Sequence, residues 1–143
     1  MLSRSRVCAT LPYEGLASAP GFYAKKLGLK RTSGSVSDCH MEFSAGDGTA
    51  IQLFESNSAK SEDTAATFEV ADLAKEMAAL RKKGVRFEEY DLPGIQTVDG
   101  VATMDGHRAA WIKDPGGNVL ALHQRETKRP RGKARKGGSS RRS

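Results

Sequence analysis

The sequence has few cysteines, few aromatic residues and no long apolar run. Its 143 residues contain two cysteines, Cys8 and Cys39, which are too few for a disulfide scaffold or a four-thiolate metal site. We therefore expect a protein of the reducing cytoplasm. No apolar stretch approaches the roughly 18–20 residues of a membrane-spanning helix, and the short apolar start of the chain ends at Pro12. Neither a membrane protein nor a secreted protein is expected.

The positive charge of the chain is concentrated at its C-terminal end. Residues 125–143 hold nine lysines and arginines and one acid, Glu126, so their net charge is +8. The other 124 residues have 14 bases and 16 acids, a net charge of −2. The C-terminal segment has no large apolar side chain, so we predict a disordered basic tail. It is expected either to bind nucleic acid or another polyanion weakly and in a salt-dependent way, or to be merely solvated.

Strand and helix patterns occur in the same order twice. Hydrophobic patterns predict strands over 7–11, 29–32, 39–44 and 49–55, and again over 66–70, 85–90, 109–113 and 118–124. Each half also has one amphipathic helix. The first helix ends at Gly28, and the second begins after Asp72 and ends at Gly84. The order strand, helix, three strands is therefore repeated.

Direct residue matches support an internal duplication. The helix exit at Gly28 matches that at Gly84 with an offset of 56 residues, and residues 48–55 match 117–124 with an offset of 69. The offset grows because the second copy has a longer loop, which we place at 91–106. This loop is either a lid over a site or a segment that varies freely. We divide one domain, residues 1–124, into modules at about 7–56 and 64–124.

Two motifs in this duplicated body resemble a known family. They are the helix end Phe22-Tyr23-Ala24-Lys25-Lys26-Leu27-Gly28-Leu29 and the turn Asp114-Pro115-Gly116-Gly117-Asn118. Together they resemble the vicinal oxygen chelate superfamily, which includes glyoxalase I, bleomycin resistance proteins and extradiol dioxygenases. The resemblance runs from about Val7 to Gln124. It implies an α+β fold of two tandem βαβββ modules, which form a curled mixed sheet around a cavity that a homodimer usually completes.

Alternation along the strands separates a core face from a mixed face. Ile51 and Leu53 alternate with Gln52 and Phe54, and a similar alternation occurs in the last strand. We predict that the apolar faces cover the helices and that the mixed faces line the concave side. The mixed faces carry Cys8, Thr10, Gln52, Phe54, Ala65, Thr67, Ala121 and His123. Phe54 and the only tryptophan, Trp111, are interpreted either as platforms for a ligand or as core residues.

The resemblance also implies a place for a metal ion. Metal-dependent members have four ligands on four strands, and the matching positions here are Cys8, Gln52, Ala65 and Ala121. Alanine has no donor atom, so we expect no tight divalent metal site. A shifted set of Cys8, Gln52 and His123 is the alternative, although a strand rise of about 3.3 Å per residue makes its convergence awkward.

These observations lead to one main hypothesis of function. The protein is predicted to bind a small organic molecule in a dimer-completed cavity, without a metal or another cofactor. The ligand-binding residues of this hypothesis are Thr10, Gln52, Phe54, Thr67, Trp111 and His123, and no catalytic residue is assigned. One alternative is a metal-dependent glyoxalase-like lyase, isomerase or dioxygenase with an altered ligand set. Another is a domain that its basic tail tethers to nucleic acid or an anionic surface.

Overall fold

The first half of the chain folds into a four-stranded sheet with one helix. The structure is a computed structural model, and it describes residues 2–57 and 62–125. Strands β1 (Cys8–Tyr13), β2 (Lys30–Ser35), β3 (His40–Ser44) and β4 (Ala50–Glu55) pair in the order β1-β4-β3-β2. The first strand runs parallel to the last, and the other pairs are antiparallel. The predicted tail, residues 125–143, lies outside the described residues except for Arg125, which is the last residue of the final strand.

The second half repeats this topology with two extra strands. Its strands are β5 (Thr64–Glu69), β6 (Asp91–Leu92), β7 (Ile95–Val98), β8 (Val101–Met104), β9 (His107–Lys113) and β10 (Val119–Arg125). They pair in the order β5-β10-β9-β8-β7-β6, again with the first strand parallel to the last. Because β5-β10-β9-β8 matches β1-β4-β3-β2, the predicted α+β fold of two βαβββ modules is confirmed. The described strands form two separate open sheets.

Two predictions for the second module are wrong. No strand forms over 85–90, and the segment 91–106 is not a loop but contains β6, β7 and β8. The counterpart of β2 is therefore β8. The physical reason is that Asp99 and Gly100 form a tight hairpin turn inside this segment. Both residues have positive φ (54° and 84°), which is the backbone conformation that such a turn requires. The Asp-Gly pair was a signal for this hairpin in the sequence.

Both predicted helices form, and each ends two residues before the glycine that marks its predicted end. The first, Pro20–Lys26, is wound as a π-helix, and the second, Leu73–Lys82, is an α-helix. The Asp72 side chain accepts a hydrogen bond from the Lys75 amide at 3.1 Å, and Gly28 and Gly84 have φ of 80° and 87°. Short 3₁₀ turns occupy Leu2–Arg4, Leu16–Ser18 and Gly46–Gly48. None of the helices among the described residues is long and apolar enough to span a membrane.

One hydrophobic core joins the two modules. Apolar side chains from both helices pack against one face of each sheet. The largest fully buried members are Tyr13, Leu16, Tyr23, Met41, Phe43, Leu53, Leu73, Ile112, Val119 and Leu120. Leu53 and Leu120 belong to the strand faces that alternation assigns to the core, and both pack in this cluster, whereas Phe54 and Ala121 on the other faces do not.

The turn between β9 and β10 ties the second module to the first. Asp114 is only 5% exposed, and its Oδ1 accepts hydrogen bonds from the backbone amides of Gly116 (2.9 Å) and Asn118 (2.8 Å). Its Oδ2 accepts from the Tyr23 hydroxyl (2.5 Å) and from Asn118 Nδ2 (3.0 Å). Asn118 Nδ2 also donates to the carbonyl of Pro12 at 2.7 Å. Four donors therefore satisfy one buried carboxylate, as burial of a charge requires.

Gly116 allows this turn to lie directly on the first module. A Cβ at this position would be 2.4 Å from the ring of Tyr13, so only glycine fits without displacing the ring. The Gly116 carbonyl accepts a hydrogen bond from the Glu14 amide at 3.1 Å. The resembled turn motif thus acts here as the contact between the two modules.

The two buried tyrosines offer a matched test of this junction. Tyr23 donates to the Asp114 carboxylate, whereas Tyr13 shares a 2.8 Å hydrogen bond with the Ser18 hydroxyl. Burial raises the pKa of both phenols, that of Tyr13 to about 12, so both are neutral at pH 7. We expect Tyr23→Phe to lower the free energy of unfolding by about 2 kcal/mol and Tyr13→Phe by about 1 kcal/mol, because hydrogen bonds to charged groups are the stronger ones. Urea unfolding measures both, and an equal or reversed cost would contradict the role of Asp114.

Candidate functional site

The six predicted ligand-binding residues divide into two groups of three. On the first sheet, Thr10 and Gln52 are register partners, and Phe54 lies two residues further along β4 with 40% of its surface exposed. Beside Gln52, the register places Glu42, whose carboxylate accepts from the Thr32 hydroxyl at 3.2 Å. All three predicted residues lie on the face opposite the core.

The second group lies together on the second sheet. Thr67 and Trp111 are both register partners of Ala121, one on each side of β10, and His123 lies two residues further along β10. Within the described residues, no hydrogen bond or ring contact joins this group to Thr10, Gln52 or Phe54. The alternation pattern in the sequence therefore assigns the six residues to the strand faces on which the structure has them. In the described part of one chain, however, the two groups remain separate.

Large and small side chains alternate across the mixed face of the second sheet. Trp111 lies opposite Ala121, and His123 lies opposite Ala109. Both alanines are only 4% exposed. The pairing therefore sets two alanines between an indole and an imidazole on the same strand face. We call Trp111, Ala121, Ala109 and His123 the alanine-floored recess.

Neighbouring groups hold Trp111 in place. Its indole Nε1 donates to the Thr64 hydroxyl at 3.1 Å, and the Tyr90 ring meets it edge to face with the ring centroids 5.4 Å apart. The Glu88 amide donates to the Trp111 carbonyl at 2.8 Å, which keeps the segment before β6 against β9. Partial burial and the carboxylates of Glu88 and Glu62 raise the pKa of Tyr90, so its phenol is neutral at pH 7. The indole is therefore a fixed aromatic wall.

The polar side of the recess is a chain of three hydrogen-bonded side chains. His123 Nδ1 lies 2.8 Å from Glu69 Oε1, and His123 Nε2 lies 2.9 Å from His107 Nδ1. The two imidazole planes are 27° apart and their centroids are 4.9 Å apart, so the rings meet edge to edge. His107 was missed because it lies between the predicted loop, 91–106, and the predicted strand, 109–113. Recognising Asp105-Gly106 as a turn would have put it on β9 in phase with Trp111.

The residues at the implied metal positions do not fit a metal ion. Ala65 and Ala121 have no donor atoms, and Ala65 lies at an irregularity in the pairing of β5 with β10. Both ring nitrogens of His123, the third member of the alternative set, already have protein partners. Among residues 2–57 and 62–125, no group of three or more His, Cys, Asp or Glu side chains is arranged to hold a metal ion. The expectation that no cofactor is needed stays a prediction.

A cleft of about 400 Å³ separates the edge strands of the two sheets. Apolar side chains of β1, β4 and β5 line much of it, among them Ala9, Ile51, Ala66 and Phe68. Glu69 also lines this cleft. The hydrogen-bonded chain of the recess therefore begins at the cleft.

The sequence and the fold both assign the chain to one family. A profile of the Glyoxalase/Bleomycin resistance protein/Dioxygenase superfamily matches residues 8–122, and the chain belongs to this superfamily. No curated protein matches the chain significantly.

Several solved structures of this fold are similar to the chain at low sequence identity. A superfamily member from Sphaerobacter thermophilus is 21% identical, with a TM-score of 0.66 over 87% of this chain and 99% of its own. A member from Alicyclobacillus acidocaldarius is 16% identical, with a TM-score of 0.66 over 85% and 92%. TnmS3, described as an antibiotic binding protein from Streptomyces sp. CB03234, is 20% identical, with a TM-score of 0.63 over 87% and 98%. At these identities the likeness establishes the fold.

Because the residues at the implied metal positions do not fit a metal ion, we expect divalent metals not to stabilise the protein. Addition of zinc, nickel, iron(II) or manganese should leave the midpoint of thermal unfolding unchanged, because a ligand raises this midpoint only when it binds the folded state. Cys8→Ala and Gln52→Ala should respond in the same way as the parent. Scanning calorimetry and elemental analysis of untagged protein measure this. One equivalent of bound metal that disappears in Cys8→Ala or Gln52→Ala would contradict the expectation.

Proposed function

We propose that this protein binds a small, planar, partly apolar organic molecule in the alanine-floored recess, without a metal or another cofactor. The arrangement of Trp111, Ala121 and His123 carries the proposal. Ligand sites are mostly apolar, with a few placed polar groups, and a fixed indole beside two small side chains offers an apolar surface on which a flat ring can stack. The imidazole of His123 then flanks such a ring at the other side, with both of its nitrogens already hydrogen-bonded to protein groups. The antibiotic-binding description of TnmS3, which shares the fold, supports a binding role.

We further propose that a second copy of the chain completes the cavity. The mixed faces of both sheets lie opposite the helices, so none of the helices among residues 2–57 and 62–125 covers the recess, and Phe54 exposes 40% of its surface on the first sheet. A partner that lays its Phe54 face over the recess would bury both apolar surfaces. Thr10, Gln52 and Phe54 would then join Thr67, Trp111 and His123 around one ligand.

The cellular setting of this proposal is the cytoplasm. Cys8 and Cys39 are both free thiols, and Cys39 is exposed, which suits a reducing compartment. The basic segment after Arg125 adds a proposed weak, salt-dependent affinity for nucleic acid or other polyanions.

Trp111 is the only tryptophan of the chain, so its fluorescence reports the recess directly. We expect 4-nitroanisole, a neutral planar probe, to quench it saturably with one site per chain. Ala121→Leu fills the floor of the recess and should weaken binding at least about tenfold. Ala79→Leu adds the same side chain on the exposed surface of the second helix and should have no effect. Quenching that does not saturate, or that is equal in Ala121→Leu, would refute the recess as the binding site.

The proposed dimer is tested through Phe54. Sedimentation equilibrium of the full chain is expected to give a dimer, and Phe54→Glu should weaken dimerisation at least about tenfold, because it places an unpaired charge in an apolar contact. Val36→Glu is the matched control, since Val36 is also exposed but lies in the turn between β2 and β3. A monomeric parent protein, or a dimer that Phe54→Glu leaves intact, would refute this interface.

A further inference from the structure

Three strands of the second sheet contribute one residue each to an unbroken chain of hydrogen bonds. Glu69 of β5 contacts His123 of β10, which contacts His107 of β9. The His123 side chain is 18% exposed, whereas Glu69 is 63% exposed. The middle of the chain is thus shielded, and its carboxylate end is open to solvent.

Hydrogen-bond chemistry assigns the protons in this chain. An ionised carboxylate only accepts hydrogen bonds, so His123 Nδ1 donates to Glu69. In a neutral imidazole the other nitrogen is an acceptor, so His123 Nε2 accepts from His107 Nδ1–H. The remaining nitrogen of a neutral His107, Nε2, then carries an unprotonated lone pair. Within the described part of the chain, no protein group is hydrogen-bonded to this nitrogen.

The surroundings of His107 favour an anionic hydrogen-bond partner for its Nε2 atom. The β9–β10 register places Arg125 beside His107, and the β8–β9 register places Met104 on the other side. An anion at His107 Nε2 would thus lie on the same strand face as Arg125, whose positive charge favours it. The carboxylate of Glu69 at the far end offsets the positive charge that His123 gains on proton transfer.

We propose that Glu69, His123 and His107 form a proton relay that takes the proton from a weakly acidic hydroxyl, a phenol or enol, of the bound planar ligand. This inference rests on ligand binding in the alanine-floored recess. The O–H bond of the ligand breaks, its electron pair stays on oxygen, and the proton forms a new N–H bond at His107 Nε2. The Nδ1 proton of His107 passes to His123 Nε2, and the resulting imidazolium lies against Glu69. No further reactant is required, and the ligand is held as its anion.

The geometry favours this relay over a metal site built from the same residues. Glu69 contacts Nδ1 of His123, whereas His107 contacts Nε2, on the opposite edge of the same ring. One ion cannot lie between all three groups. The 2.9 Å separation of the two imidazole nitrogens is a hydrogen-bond distance.

The first experiment tests the proton positions in the protein without ligand. The chain has three histidines, His40, His107 and His123, so ¹⁵N spectra of their side chains are readily assigned. The relay requires protonated Nδ1 and unprotonated Nε2 on both His107 and His123 when the rings are neutral. Glu69→Gln should change the His123 signals and leave those of His40 unchanged. Nε2-protonated forms of both histidines in the parent protein would overturn the assignment.

The second experiment measures proton transfer with 4-nitrophenol, whose neutral and ionised forms absorb at different wavelengths. The parent protein should bind it with a larger ionised fraction than exists in free solution. His107→Leu should lower the affinity for the ionised form about ten- to hundredfold, as expected for loss of a charge-assisted hydrogen bond. The same variant should bind 4-nitroanisole, which has no acidic proton, within about twofold of the parent. His40→Leu, at an exposed histidine outside the recess, should leave both affinities unchanged.

The outcomes of these experiments distinguish a failure of the proton relay from a failure of the proposed binding function. If 4-nitroanisole binds but the ionised fraction of 4-nitrophenol is the same in His107→Leu, the relay is refuted and the binding site stands. If neither probe quenches Trp111, the binding site itself is refuted, and the relay as stated falls with it. Zinc binding at one equivalent per chain that His107→Leu abolishes would also overturn the relay, in favour of a metal held by the two histidines.

Discussion

The buried carboxylate of Asp114 is the interaction on which the arrangement of the two modules depends. It lies in a turn of the second module, yet it accepts from Tyr23 of the first helix, and Asn118 extends the network to the backbone of β1. A buried charge is costly unless it is fully hydrogen-bonded. All four donors converge on Asp114 only when both modules occupy their observed positions. The turn therefore specifies how the modules are joined, in addition to how β9 continues into β10.

The position of the recess follows from this junction. Asp114 and Asn118 fix the ends of β9 and β10, and Ile112 and Leu120 anchor the same strands in the shared core. Because side chains alternate along a strand, Trp111 and Ala121 must then point to the opposite face. The recess is thus built on paired strands held by the core, which are more rigid than loops. Its two walls, Trp111 and His123, keep their spacing because the β9–β10 register sets it.

Much of this architecture is readable in the sequence, and the failures have specific causes. The alternation of apolar residues and the helix-capping residues identify seven of the strands and both helices. These signals can be read from the sequence because they depend only on residues close to one another along the chain. The pairing of Glu69, His123 and His107 was not predictable in the same way, because it depends on the register between three strands distant in sequence. The alternating pattern places His123 on the correct face, but His107 was missed because the strand after the misread segment 91–106 was predicted to begin only at residue 109. The alternation of residues along one chain also gives no information on whether a second chain brings the two mixed faces together.

One of the two alanines at the implied metal positions also shapes the alternative site. Ala121 offers no donor atom, and its short side chain lies beside Trp111. The polar side chains lie further along the same strands, at Glu69, four residues after Ala65, and at His123, two residues after Ala121, and these two residues are register partners. In the first module the equivalent register partners are Pro12 and Phe54. These equivalent positions therefore hold an apolar pair in the first module and a hydrogen-bonded pair in the second. A ligand that contacts both pairs needs an apolar end and an acidic or polar end, which favours an amphiphilic planar molecule over a uniformly apolar one.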